Sequence, residues 1–140
     1  MAKYLLDTCI WRDFYEDRVS RKGTLLGEHA TKLFTRIIKE RDTIIFSEAL
    51  VWELKRDYEE DNIMDMLNLL FFNNVLVRIE IVKEEFLEAK QLSKERKLPF
   101  IDCLNAIQAR NHKAILVSQD RHILSNLSDI TQAKRPEEIT

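Results

Sequence analysis

Lys3-Tyr4-Leu5-Leu6-Asp7-Thr8 opens the chain with a short apolar run that stops at an acid and a hydroxyl. So brief a run reads as a buried strand, which leaves Asp7 at its carboxyl end. The pattern recurs. Thr43-Ile44-Ile45-Phe46 gives way to Ser47, with Glu53 shortly after, and Ala114-Ile115-Leu116-Val117 gives way to Ser118-Gln119-Asp120. A further acid, Asp102, follows Pro99-Phe100-Ile101. In an open parallel sheet the carboxyl edge of the strands is where ligand sites form. Carboxylates gathered there would repel one another, and a hard divalent ion with oxygen ligands is the economical counter-charge.

Between these runs the period becomes helical. Glu28 to Lys39 sets Ala30, Leu33, Phe34, Ile37 and Ile38 on one face. Ile10 to Asp17 has mixed helical character, and Arg18 to Gly27 is polar and reads as a loop. Ser47 is a candidate N-cap for a helix through about Tyr58, with Glu48 in its first turn. Asn62 to Phe72 reads as a helix ending at the Asn73-Asn74 turn, and Lys83 to Lys94 as another. Asp102 is expected to open a helix through Arg110, and Arg121 to Leu127 a short one. The remaining strands are expected at Val75 to Val82 and around Ile130 to Ala133. Alternating strands and helices predict βαβ crossovers, hence one α/β domain over residues 1–140. The expected architecture has three layers, with helices flanking a central, mainly parallel sheet of about five strands.

Composition narrows the function. The 140 residues, 45% hydrophobic and 33% charged, suit a single well-solvated globule. No stretch reaches membrane-spanning length, and Asp7 and Arg12-Asp13 interrupt any N-terminal apolar region, so a cytoplasmic location is expected. With 22 Lys and Arg against 24 acids, the chain does not coat nucleic acid by bulk charge, although local cations and a metal would still serve a nuclease. Only Gly23 and Gly27 are glycines, which excludes a P-loop and a G-x-G-x-x-G turn, and with them NTPases and dinucleotide enzymes. Cys9 and Cys103 form neither C-x-x-C nor zinc spacing and read as reduced, partly buried thiols.

Any one of these acids could be a simple helix cap, so their grouping carries the argument. Glu53 sits between Val51-Trp52 and Leu54, where it would point inward. Asn105, Ala106 and Ala109 follow Asp102 at helical spacing. The small side chains either leave room for a metal and a substrate or let the helix pack closely on the sheet.

The segments Tyr4-Leu5-Leu6-Asp7-Thr8, Ser47-Glu48-Ala49-Leu50-Val51-Trp52-Glu53-Leu54, Asp102-Cys103-Leu104-Asn105-Ala106-Ile107-Gln108-Ala109 and Ile115-Leu116-Val117-Ser118-Gln119-Asp120 stand in an order that resembles the PIN-domain family. Within it they look like the VapC-type toxin ribonucleases, over nearly the whole chain. The resemblance implies a Mg²⁺ or Mn²⁺ endoribonuclease, the toxin of a toxin–antitoxin pair, restrained by an antitoxin protein. It implies Asp7, Glu53, Asp102 and Asp120 as the catalytic, metal-binding acids; the hydroxyls of Thr8 and Ser118, and the amide of Asn105 on the Asp102 face, are read as supporting polar groups. The chain departs from the family at Cys9 (often Asn or Ser), at Asn105 (usually small and apolar) and at His122-Ile123 (often Asp-Phe).

Arg12, Arg18, Arg21-Lys22, Arg110 and Lys113 are candidate contacts for the RNA backbone, with ordinary solvated surface as the plainer reading of each. Ile63 to Phe72 is apolar on more of its circumference than one core-facing stripe needs, which predicts a homodimer interface. Two other readings stay open: a PIN-like scaffold that binds RNA or protein without cutting, and a HAD-type phosphatase. The scaffold would be favoured by a missing core acid, and none is missing. The phosphatase wants a second Asp two residues after Asp7, where Cys9 stands.

Overall fold

The computed structural model describes residues 1–140. Its strands are β1 (Lys3–Leu6), β2 (Thr43–Phe46), β3 (Leu76–Arg78), β4 (Ile115–Val117) and β5 (Ala133–Lys134). They form one sheet in the order β3-β2-β1-β4-β5, and every pairing is parallel. Tyr4 in the middle strand is in register with Ile44 on one side and Ile115 on the other. The helices are α1 (Thr8–Glu16), α2 (Leu26–Glu40), α3 (Glu48–Leu54), α4 (Glu60–Phe72), α5 (Lys83–Arg96), α6 (Phe100–Asn111), α7 (Arg121–Asn126) and α8 (Pro136–Ile139).

Period-two alternation in β1 divides the interior. Tyr4 and Leu6 enter a cluster with α1, α2, α3 and α4, while Leu5 enters a second cluster with α5, α6 and α7. Both faces of the sheet are covered, which is why the strands read as continuous apolar runs. The three-layer α/β domain expected from the sequence is the fold observed.

Several boundaries differ from the sequence reading. Helix α1 begins at Thr8 rather than Ile10, because the Asp7 carboxylate caps it by accepting from the Thr8 N–H. Helix α2 begins at Leu26, inside the stretch read as a loop. Helix α3 ends at Leu54, short of Tyr58. Strand β3 stops at Arg78: Ile79 still donates to the Phe46 carbonyl (2.7 Å), after which Ile79 and Ile81 turn to pack against the second cluster. Helix α6 begins at Phe100, with Pro99 at its cap, so Asp102 lies in the first turn instead of opening it. Strand β5 falls at Ala133–Lys134, and the one-turn α8 was not expected.

Only two glycines serve so many turns, so charged and amide side chains take left-handed positions. Asp17, Arg41, Asn74, Lys97 and Lys113 all have φ between 50° and 58° at or beside helix ends. Gly27 is needed for another reason. A Cβ there would stand 2.5 Å from Asp17 Cα and 2.8 Å from the Asp13 carbonyl, so its absence lets α2 start against the end of α1.

Candidate active site

Asp7 ends β1 and caps α1, and its backbone N–H donates to the Val117 carbonyl of β4 (2.9 Å). The sheet register therefore sets Asp7 beside the end of β4, where Ser118 follows. Three donors hold its carboxylate: the Thr8 N–H on Oδ1 (2.9 Å), and the Ser118 hydroxyl (3.0 Å) and Cys9 thiol (3.1 Å) on Oδ2. Ser118 is fully buried and also accepts from the Asp120 N–H (3.0 Å), which ties the loop after β4 to the Asp7 carboxylate. Asp120 caps α7 by accepting from the His122 N–H (2.8 Å).

Glu53 lies in the last turn of α3, half-buried, and the Thr8 hydroxyl donates to its Oε1. The first turn of α1 thus holds two of the acids, Asp7 through its backbone and Glu53 through its side chain. Asp102 is also partly buried, in the first turn of α6. Asn105, nearly one turn further on, is buried and joins none of these hydrogen bonds.

The electrostatics record the convergence. Burial, and then the charges of Asp7, Glu53 and Asp120, push the Asp102 carboxyl up to about 7. Burial also raises Asp7 against the lowering effect of its hydrogen bonds. The Cys9 thiol is pushed well up by burial and by Asp7, so it keeps its proton and serves as a donor. None of the four acids makes a salt bridge.

No three His, Cys, Asp or Glu side chains are drawn to within ion-holding distance of one another. The donor set is all oxygen, net negative and uncompensated, which fits a hard divalent cation.

Three expected phosphate contacts are committed elsewhere. Arg12 pairs with Asp57 (2.7 Å), Arg18 with Glu16 (2.9 Å), and Arg110 with both oxygens of Glu88 (2.7 and 2.8 Å). Arg21, Lys22 and Lys113 are exposed and make no ion pair. The sequence reading passed over Cys9 as a bland thiol, although its place two residues past a capping Asp was a signal that it could reach that carboxylate.

No curated protein matches the chain by sequence. Solved structures share its fold. VapBC2 from Rickettsia felis, bound to a DNA fragment from its promoter, aligns with TM-score 0.66 and 17% identity over 95% of this chain and 98% of that one. A toxin–antitoxin complex from Klebsiella pneumoniae aligns with TM-score 0.64 and 16% identity, over 95% and 97%. FitAcB from Neisseria gonorrhoeae aligns with TM-score 0.60 and 17% identity, over 96% and 98%. Identities this low speak for the fold alone. The sequence profile of the PIN domain matches residues 4–129, a span that holds all four acids. PIN-domain proteins are generally nucleases that use divalent metals, and this chain belongs to the PIN-domain family.

Proposed function

We propose that the chain is a Mg²⁺- or Mn²⁺-dependent endoribonuclease and the toxin of a toxin–antitoxin pair. The observation that carries this reading is the PIN-domain match over residues 4–129, within which Ser118 ties Asp7 at the end of β1 to Asp120 after β4; the raised Asp102 carboxyl agrees with it. Those acids sit at the carboxyl edge of a parallel sheet, the edge that binds ligands in such folds. The toxin–antitoxin complexes among the fold's neighbours support the biological setting.

In this reading Asp7 and Asp102 hold the ion directly, with Asp120 and Glu53 ligating it or orienting water. Bound there, a divalent ion supplies a water of lowered pKa and polarises the phosphoryl oxygen. The chain's own groups prepare the site. Thr8, Ser118 and Cys9 fix the Asp7 carboxylate, and Thr8 fixes Glu53. Asp102 would hold the ion in its ionised form, so its raised carboxyl would make binding weaker at acidic pH.

Two surfaces complete the proposal. Helix α4 buries Ile63, Met66, Leu67 and Leu70 and leaves Met64, Leu69, Phe71 and Phe72 exposed, a surplus that would be covered in a homodimer. An Arg or Lys from an antitoxin would be drawn to the acids and displace the ion.

The test is cleavage of a fluorescent RNA oligonucleotide with Mg²⁺, with Mn²⁺ and with chelator. Metal-dependent cutting that disappears in Asp7→Asn is the expected result. RNA binding without cutting, under every metal condition, would establish the scaffold instead. Light scattering that reports a monomer at high micromolar concentration would remove the homodimer.

A further inference from the structure

Glu53 is half-buried but weakly anchored by its own helix. Helix α3 has only seven residues, Glu53 is in its last turn, and no basic side chain stands in that turn to support the helix end. A helix this short does not hold its own geometry in water. Whatever fixes the Glu53 carboxylate must come from outside α3.

Helix α1 supplies two holds, one turn apart on the same face. Thr8 donates its hydroxyl to Glu53 Oε1. Arg12 follows four residues later, and its Nη2 reaches the backbone carbonyl of Glu53 (3.4 Å) and Asp57 Oδ2 (2.7 Å). The Arg12 Nε is buried without a partner, so its stem is packed under the end of α3 rather than extended into solvent. Asp57 lies in the turn that carries the chain away from α3, and its own side chain is 55% exposed.

We propose that Arg12 is a positioning residue for Glu53: with Asp57 it clamps the end of α3 to α1, so that Thr8 can hold the Glu53 carboxylate toward the other acids. The inference rests on the nuclease reading of the site. It differs from both sequence readings of Arg12, as a contact for the RNA backbone and as ordinary solvated surface. A lone exposed ion pair would contribute little. This pair matters through the place it fixes for a carboxylate.

Arg12→Ala, Arg12→Lys and Asp57→Ala separate the two roles. The readouts are kcat and KM on a fluorescent single-stranded RNA oligonucleotide with Mn²⁺, and the Glu53 carboxyl ¹³C resonance in metal-free protein, assigned through Glu53→Gln. A clamp predicts that Arg12→Ala and Asp57→Ala both lower kcat, by about tenfold to a hundredfold for a misplaced group, while KM changes less than about twofold. It also predicts that both shift the Glu53 resonance toward that of an exposed glutamate, and that Arg12→Lys, which can still pair with Asp57, recovers part of each effect. An RNA contact predicts the opposite pattern. Arg12→Ala would raise KM, Asp57→Ala would lower it by freeing the guanidinium, and the resonance would stay in place; that pattern overturns the proposal. If Arg12→Ala does not fold, Asp57→Ala decides by the same signs. If the wild type cuts no RNA, the nuclease reading fails while the resonance still decides the clamp, and an unmoved signal in Asp57→Ala sinks it.

Discussion

The two faces of the sheet are packed by opposite means. On the side of α1 to α4, the cluster of 19 buried residues is built from bulky groups, among them Trp11, Phe34, Phe46 and Met66, with Ala30 its single alanine. On the side of α5 to α7, five alanines and a cysteine make up six of 14: Ala49, Ala89, Cys103, Ala106, Ala109 and Ala114. Small side chains let a helix axis approach the sheet, and α6 is accordingly buried along almost its whole length, from Cys103 to Ala109. The bulky face fills volume. The small-residue face seats α6, whose first turn carries Asp102 within reach of the charges of Asp7, Glu53 and Asp120.

The most severe test of that contrast is chemical. Asp102→Asn keeps the shape of α6 and removes the charge it delivers, and cleavage should fall by roughly 10³-fold or more, the scale on which losing one member of a catalytic set acts. Metal-dependent cleavage by both Asp7→Asn and Asp102→Asn, in protein free of host nucleases, would break the link between packing and site.

Next come the cores themselves. Phe34→Ala empties space on the bulky face and should cost about 3–5 kcal/mol in urea unfolding. Ala106→Leu forces volume into the small-residue face and should cost about 1–3 kcal/mol, while also displacing Asp102 and lowering activity. Equal loss of activity in the two variants, measured at temperatures where both are folded, would dissolve the distinction.

A smaller effect is electrostatic. Asp102 titrates at about 7 in the folded protein against an ordinary carboxylate value of 3.8. Between those values the folded state holds a proton that the unfolded chain has released, so stability of the metal-free protein falls as pH rises through the window. Asp13, buried on α1 and pushed up to about 6, acts in the same direction. The stability advantage of Asp102→Asn over the wild type should therefore widen from about pH 4 to about pH 7 and then level off. Discounted for partial solvent screening, the gain is on the order of 2 kcal/mol. A gap that stays constant across that range would mean that neither burial nor the neighbouring acids raise the Asp102 carboxyl.

Much of this was legible in the residues. The runs at Lys3–Leu6 and Thr43–Phe46 match β1 and β2 end to end, because each stops at a side chain that caps the next helix, Asp7 or Ser47. At β3 the sequence misled, since the apolar Ile79 and Ile81 continue the strand pattern while serving the second core beyond the sheet edge. The four candidate acids were read from their places after apolar runs. What escaped was how they are held. The Cys9 thiol reaches a carboxylate only two residues away and was passed over, whereas the Arg12 guanidinium turned toward Asp57 depends on a contact between α1 and the end of α3 that links residues more than 40 positions apart.

The left-handed helix ends carry an untapped reserve. Arg41 and Lys97 hold positive φ where a side chain crowds the following carbonyl, a conformation that glycine adopts freely. Both are exposed, and their charges favour a helix end only modestly. Exchanging each for glycine should raise the unfolding free energy slightly, by up to about 1 kcal/mol per site. The fold thus has tolerance that evolution could draw on: a chain made more robust at these ends could accept costlier changes around the four acids.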